Sequence, residues 1–187
     1  PNMTVLCPAD ATEVRQALAA VLTLRGPAYI RLGTKGEPTV HQEPAEFAIG
    51  KGIVVREGTD VCLLGLGTMV AVAMEAAAVL QTSGVSAQVV SMHTVKPIDE
   101  DLLSDAFGRF PLVAVVEEHS RIGGLGGSVA DWLAAQRPRP AGELLGFGTP
   151  DAFLCEAGSQ RYARQQCGLT ADHIAAEVTR AFGNRKV

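Results

Sequence analysis

The sequence predicts an α/β fold: a mainly parallel, twisted sheet flanked by helices, preceded by the end of a second α/β domain. After residue 60, short apolar segments alternate with longer segments of helical periodicity. Each short segment is almost continuously apolar, which is typical of parallel strands that helices cover on both faces. Residues 37–58 are rich in Gly, Pro and charge, as linkers are. We therefore expect the end of one domain in residues 1–36, a linker in 37–58 and a second domain in 59–187.

The first 36 residues predict one helix and one strand. Asp10-Ala-Thr-Glu13 has the pattern of a capping box with Asp in the first position, and apolar residues then recur at helical spacing as far as Gly26. Pro27 restarts the chain, and residues 28–32 are typical of a short strand. The sequence shows no sheet that this strand could join.

The rest of the chain predicts alternating strands and helices. The predicted strands are residues 53–56 within the linker, then 61–66, 86–91, 111–116 and 143–147. The predicted helices are residues 69–82, 99–107, 128–135, 159–166 and 171–182.

Composition excludes several classes of protein. Of the 187 residues, 47% are hydrophobic and 19% are charged, which suffices for a substantial core and argues against disorder. The net charge is −4 and Lys and Arg are not clustered, so no nucleic-acid or membrane partner is expected. The four cysteines form no C-x-x-C pair, which favours reduced thiols in a cytoplasmic protein. The chain begins Pro1-Asn2-Met3, which suggests a piece of a longer polypeptide.

Two glycine-rich turns resemble phosphate-binding loops. Gly65-Leu-Gly67-Thr-Met-Val70 lacks the third glycine of the dinucleotide fingerprint and the acidic residue about 20 positions later, so a tight turn between strand and helix is favoured. The second turn, residues 123–127, precedes a helix. It is compatible with a phosphate site, but close packing at a subunit interface is favoured.

Two histidines follow predicted strands, where open α/β sheets bind their ligands. His93 and His119 could contact a substrate oxygen or move a proton, although a structural or interface role is more common at such positions. Glu117 and Glu118 are adjacent and should point to opposite faces of a strand, so they cannot act as a pair. The sequence has no Ser-His-Asp pattern with its nucleophile elbow and no metal-ligand spacing. We expect no catalytic and no metal-binding residues in this chain.

Taken together, the motifs resemble the transketolase family, and specifically the C-terminal section of split transketolases. The resemblance runs nearly from end to end, and its motifs are specific as a set. The principal matching segments are Pro8-Ala-Asp10, Gly26-Pro-Ala-Tyr-Ile-Arg-Leu-Gly33, Met92-His-Thr-Val-Lys-Pro-Ile-Asp99, Val116-Glu-Glu-His-Ser120 and Gly123-Gly-Leu-Gly126.

The resemblance implies a partial enzyme. Residues 1–36 would be the end of the pyrimidine-binding domain, and the second domain would be the family's C-terminal domain, which packs in the dimer and binds no cofactor. The family uses thiamine diphosphate with Mg²⁺ or Ca²⁺ to transfer a two-carbon ketol unit between sugars or sugar phosphates. Its catalytic glutamate would precede Pro1, and no cofactor should bind this chain alone. The expected partners are the N-terminal part or subunit, in a homodimer or heterotetramer. The interface candidates are His119, Gly123, Gly124 and Gly126.

One departure from the family concerns substrate phosphate. Relatives usually place a phosphate-contacting Arg where this chain has Thr34. Arg31 and Lys35 flank that position, and Lys35 could replace the Arg as a point charge. His93, which falls where the synthase relatives carry an Arg, is a further candidate for substrate contact.

Alternatives remain open. The chain could belong to a 1-deoxyxylulose-5-phosphate synthase or to a 2-oxoacid dehydrogenase E1-β subunit. It could also be a free-standing structural or dimerisation domain.

Overall fold

The computed structural model describes residues 1–34, 36–41 and 45–184. Lys35 therefore lies outside the described residues. The strands are β1 Thr4–Leu6, β2 Ala28–Ile30, β3 Ile53–Arg56, β4 Val61–Gly65, β5 Ala87–Ser91, β6 Thr94–Lys96, β7 Leu112–Ser120 and β8 Glu143–Thr149. The helices are α1 Ala11–Val21, α2 Met69–Thr82, α3 Glu100–Arg109, α4 Leu125–Ala135, α5 Gln160–Gln166 and α6 Ala171–Gly183. Within the described ranges, every helix is too short or too polar to cross a membrane.

The main sheet has five strands in the order β3-β5-β4-β7-β8. The last four of these strands are parallel to one another, and β3 is antiparallel to β5 at one edge. This confirms the predicted α/β fold with a mainly parallel sheet. The linker segment at 53–56 is therefore an edge strand of this sheet.

Helices cover both faces of the main sheet because its central strands are apolar on both sides. In β4, Val61 and Leu63 join a core that contains residues of α2 and α6, whereas Cys62 and Leu64 join a core with residues of α3 and α4. All five residues of β4 are buried. The alternation follows from the two-residue period of a strand.

A second, three-stranded sheet has the order β2-β1-β6. The expectation that the strand at 28–32 has no sheet to join was wrong, since β2 pairs in parallel with β1 and β1 pairs antiparallel with β6. β1 and β6 have three residues each, too few for a recognisable period. Because β6 directly follows the turn after β5, the small sheet lies against the carboxyl edge of the main sheet.

Helix α1 begins as its capping motif predicts. The Asp10 side chain accepts hydrogen bonds from the amides of Thr12 and Glu13. The helix ends at Val21, earlier than predicted, because the amides of Thr23 and Leu24 donate three residues back in a tightening turn.

Candidate functional site

The candidate site is the carboxyl edge of the main sheet, where the small sheet packs against it. Ligands of open α/β sheets bind at this edge. The junction is held by backbone hydrogen bonds: the Cys7 amide donates to the His93 carbonyl at 2.8 Å, and the Leu66 amide donates to the Val116 carbonyl at 3.0 Å. At this edge the segment after β1 is therefore joined to the segment after β5, and the segment after β4 is joined to β7.

A cavity of about 180 Å³ lies at this junction. It brings together two of the predicted substrate-binding residues, Arg31 and Thr34. Its other polar lining residues, which the sequence did not single out, are Cys7, Thr68, Glu118 and Gln160.

Arg31 is fixed at the end of β2. Its amide donates to the Leu6 carbonyl at 2.8 Å, and its Nη2 donates to the carbonyl oxygen of Glu118 at 2.6 Å. One guanidinium nitrogen is therefore committed to the backbone, while the rest of the group lines the cavity. Thr34 is exposed at the cavity surface.

The Glu118 carboxylate joins three elements beside the cavity. It accepts hydrogen bonds from Arg164 Nη2 at 2.6 Å, from Gln160 Nε2 at 3.0 Å and from Thr68 Oγ1 at 3.1 Å. Burial acts to raise the pKa of this carboxyl, but the hydrogen bonds from Arg164 and Gln160 outweigh burial and hold the pKa below its ordinary value. Glu118 is thus an anion that ties α5 to the β4–α2 turn.

Glu117 points to the opposite side of β7, as the sequence predicts. Its carboxylate accepts hydrogen bonds from the amides of Leu125 at 2.7 Å and Gly126 at 2.8 Å, the first residues of α4. Burial raises the pKa of this carboxyl. Because a carboxylate already occupies this helix N-terminus, the glycine-rich turn offers no place there for a phosphate.

The glycines of this turn allow it to pack against Glu117. A Cβ on Gly124 would clash with the Glu117 carboxylate and lie 2.7 Å from the Ser120 carbonyl, and one on Gly126 would lie 3.1 Å from Glu117 Oε1. Gly123 has φ of +76°, in the left-handed region that favours glycine. The close packing expected of these residues is present, and their contact with another subunit stays a prediction.

His119 is exposed beside this turn. Its Nδ1 lies 3.0 Å from the Ser120 carbonyl. It lines a second, mostly apolar cavity of about 320 Å³ with Tyr29 and Leu125. Its side chain is accessible for the subunit contact that the resemblance implies.

His93 lies apart from Arg31 and Thr34. It is fully buried, its ring stacks on Phe47 with centroids 4.0 Å apart, and its Nδ1 lies 2.9 Å from Thr94 Oγ1. Burial lowers its pKa, so the neutral ring is favoured. Within the described part of the chain its Nε2 has no hydrogen-bond partner. Phe47 covers the ring in this arrangement, so substrate contact by His93 stays a prediction.

The turn after β4 is a tight connection, as favoured from its sequence. Gly67 has φ of +58°, and a Cβ there would lie 2.5 Å from Cys7 Sγ. Burial raises the pKa of the Cys7 thiol to about 11, so it is protonated at neutral pH and is not an activated nucleophile.

The described residues offer no fit for a metal-bound diphosphate. Among them, no group of three or more His, Cys, Asp or Glu side chains is placed to hold a metal ion. The buried carboxylate of Glu117 occupies the N-terminus of α4, at the edge where a ligand would bind.

The chain is similar to known proteins over most of its length. Residues 50–174 match the family model described as the transketolase C-terminal domain. The chain is 40% identical over 182 residues to the 6-deoxy-6-sulfo-D-fructose transketolase subunit SqwH of Clostridium sp. (strain MSTE9), covering 96% of the chain and 55% of that subunit. It is 33% identical over 188 residues to the 1-deoxy-D-xylulose-5-phosphate synthase of Chlorobaculum tepidum, covering 99% of the chain and 29% of the synthase.

A solved structure extends this similarity to the fold. A split-gene transketolase, described as an inactive β4 tetramer, superimposes with a TM-score of 0.85 at 38% identity, covering 98% of this chain and 58% of that one. The chain thus spans between 29% and 55% of the length of the two curated relatives.

Proposed function

The chain belongs to the transketolase C-terminal domain family, and we propose that it is the C-terminal part of a thiamine-diphosphate-dependent enzyme that transfers a two-carbon ketol unit between sugars or sugar phosphates. The observation that carries this proposal is the 38% identity, over 98% of the chain, to a split-gene transketolase. The family resemblance read from the motifs is confirmed.

The site supports a role in binding and positioning. Arg31, Thr34, Thr68 and Gln160 present hydrogen-bonding side chains to one cavity at the edge where such folds bind ligands. In this proposal Arg31 and Thr34, with Lys35 beside them, contact the sugar substrate. The chain supplies the C-terminal domain and dimer contacts.

The thiamine diphosphate and its Mg²⁺ or Ca²⁺ are proposed to bind outside this chain. The described residues do not fit a metal and diphosphate, so no step of the cofactor chemistry is assigned to them. In the whole enzyme, the cofactor would supply the chemistry of two-carbon transfer.

The proposed partners follow from the relatives. SqwH is named as a transketolase subunit, and the split-gene structure is described as an inactive β4 tetramer. We accordingly propose an N-terminal part or subunit as partner, in a homodimer or heterotetramer. The four free cysteines, Cys7, Cys62, Cys155 and Cys167, suit a cytoplasmic enzyme, which cell fractionation would test.

A second candidate function is supported by at least five curated relatives, which are 1-deoxy-D-xylulose-5-phosphate synthases. The Chlorobaculum relative, which matches 99% of the chain, is a 1-deoxy-D-xylulose-5-phosphate synthase. The chain departs from the synthases at residues 32–35, where Leu-Gly-Thr-Lys stands in place of the Tyr-Pro-Arg-Gly that is usual there. We therefore place ketol transfer first.

Calorimetry and product analysis test the proposal together. Titration of thiamine diphosphate with Mg²⁺ into this chain alone is expected to give no saturable heat. The same titration after addition of the N-terminal part should give binding, and mass spectrometry should show a sugar lengthened by two carbons. Micromolar binding by the chain alone would contradict the placement of the cofactor. Formation of 1-deoxy-D-xylulose 5-phosphate would support the second candidate.

A further inference from the structure

Two buried acids at the start of α1 hold the chain segment that follows Thr34. Besides capping α1, Asp10 accepts a hydrogen bond from the Val40 amide through its second oxygen, at 2.9 Å. Glu13 is completely buried, and its Oε2 accepts a hydrogen bond from the Ala9 amide at 2.6 Å. Asp10 therefore joins the start of α1 to Val40, and Glu13 joins α1 to Ala9 in the segment before it.

The second oxygen of Glu13 contacts a histidine. His41 Nε2 lies 2.7 Å from Glu13 Oε1, and the His41 side chain is only 4% exposed. The hydrogen bond from Glu13 raises the pKa of His41 and outweighs the opposing effect of burial. The protonated ring and the carboxylate form a pair that solvent screens little.

The segments held by this pair are walls of the cavity. Ala9 directly follows Cys7 and Pro8, which line the cavity together with residues 32–34. On the other side, Gly33 packs against the Glu37 side chain, three residues before Val40. A shift of residues 40–41 away from α1 would therefore move the wall that carries Thr34.

We propose that the Glu13–His41 pair is a positioning device for the substrate cavity: it fixes residues 40–41 against α1 and thereby the described residues 32–34 and 36–39 that precede them, and His41 is a positioning residue. The link to substrate rests on the proposed function, whereas the buried pair itself does not.

The other ionisable groups near His41 also affect the charges of this cluster. Asp10, at the N-terminus of α1, favours the protonated His41. His93, after β5, interacts electrostatically with Glu13 and His41, but burial favours its neutral form. Asp99, at the start of α3, acts on His93. Asp10 and Glu13 therefore favour the protonated form of His41, whereas burial favours the neutral form of His93.

The sign of the pH dependence follows from the raised pKa. The pair contributes its full stability below the ordinary histidine pKa of about 6.5, and this contribution is lost as pH rises through the higher pKa of the folded chain. Alkaline pH should loosen residues 32–34 and 36–41 from α1, while the fold that rests on the two large hydrophobic cores persists.

Histidine NMR and denaturation test the pair without any activity. In chain labelled at histidine Cε1, the titration midpoint of His41 is expected to fall in the Glu13→Gln variant. An unchanged midpoint would overturn the proposal. The His41→Gln variant, which can still donate a hydrogen bond to Glu13, provides a second measurement. Urea denaturation should show stability falling from about pH 6.5 to pH 9 in the parent and staying level in His41→Gln. Equal slopes would also overturn the proposal.

Kinetics of the assembled enzyme then test positioning. In the parent, KM for the acceptor should rise roughly threefold to tenfold as the pH is raised from about 6.5 to 9, with kcat little changed. In His41→Gln, KM should be the same at both pH values. A level KM in the parent, together with the expected NMR and denaturation results, would show that the pair is structural only. Absence of any ketol transfer would instead count against the proposed function. The NMR and denaturation results would still show whether the Glu13–His41 pair forms and stabilises the chain.

Discussion

At the scale of single residues, the identity of residue 34 bears on the proposed recognition of a substrate phosphate. An Arg guanidinium binds phosphate through two parallel hydrogen bonds, which a Thr hydroxyl cannot reproduce. Arg31 lies in the same cavity but already donates to the Glu118 carbonyl. The placement of Thr34 and Arg31 together could be foreseen, because they are three residues apart at the end of one strand.

Substitutions at residues 34 and 35 should therefore change the affinity for a phosphorylated acceptor. In the assembled enzyme, Thr34→Arg is expected to lower KM by roughly tenfold, the value of one charged hydrogen bond, and Lys35→Ala is expected to raise it. Thr34→Gln, which adds length without charge, is the control. Steady-state kinetics with phosphorylated and unphosphorylated acceptors provide the measurement, and an unchanged KM in Lys35→Ala would remove Lys35 from the site.

The contacts of Glu118 could not be foreseen from the sequence. Its partners Thr68 and Arg164 are 50 and 46 residues away. No local pattern links three positions on β7, the β4–α2 turn and α5. Packing of α5 against the sheet brings them together, so they become visible only in the folded chain.

Removing the Arg164 partner should destabilise the fold measurably. Arg164→Ala leaves Glu118 without its strongest donor in a site that is largely shielded, and we expect a loss of about 1–3 kcal/mol in the free energy of unfolding. Arg180→Ala, which removes the exposed pair with Glu177 within α6, is the matched control and should change stability little. Urea denaturation near neutral pH compares the two variants. Equal losses in the free energy of unfolding would show that the Glu118–Arg164 pair stabilises the fold no more than an exposed pair does.

The Glu118–Arg164 pair also predicts that the stability of the fold decreases at acid pH. Because the folded-state pKa of Glu118 lies below its ordinary value, its contribution is present above the unfolded pKa of about 4.3 and is lost as pH falls through the lower folded pKa. The parent should lose more stability than Glu118→Gln between pH 5 and pH 3, measured by denaturation. Parallel pH profiles for the two proteins would contradict this.

At the scale of elements, the sequence predicted the helices and the strands of the main sheet and missed the three-residue strands β1 and β6. The strands of the main sheet were foreseen because each carries a run of apolar residues. β1 and β6 were not, because three residues show no period and their pairing joins segments about 90 residues apart. The start of α4 was predicted at residue 128 but lies at Leu125. The helix begins earlier because the Glu117 carboxylate, on β7, accepts a hydrogen bond from the Leu125 amide.

The start of α4 offers a test within one element. Gly124→Ala places a Cβ against the Glu117 carboxylate and should cost about 1–3 kcal/mol through overpacking. Gly127→Ala is the control: its Cβ would lie 3.8 Å from the Arg121 carbonyl, and Ala favours a helix interior over Gly. Thermal unfolding should show a lower midpoint for the first variant and an equal or higher one for the second. A Gly124→Ala variant as stable as the parent would mean that the turn is not tightly packed.

At the scale of the whole molecule, exposed apolar side chains occur at several places among the described residues, and two of these places bear on the proposed partners. Leu22 at the end of α1 is 79% exposed. Tyr29 on β2 is also exposed, and it lines the same cavity as His119 and Gly123. Ile122, 71% exposed, lies in the turn between His119 and Gly123. Patches of this kind mark interaction surfaces. Sequence periodicity cannot find them, since it shows which residues face a core but not which surfaces a partner covers.

These two places should serve different partners. The turn beside His119 is the expected contact between copies of this chain, so Ile122→Asp should weaken self-association by at least about tenfold, because it buries an unpaired charge. Leu22 lies in residues 1–36, which we propose are the end of the pyrimidine-binding domain, so Leu22→Asp should leave self-association unchanged and weaken binding of the N-terminal part. Sedimentation velocity of each variant, alone and with that part, separates the effects. If Leu22→Asp instead breaks self-association, the end of α1, and not the glycine-rich turn, is the surface that joins two copies of the chain.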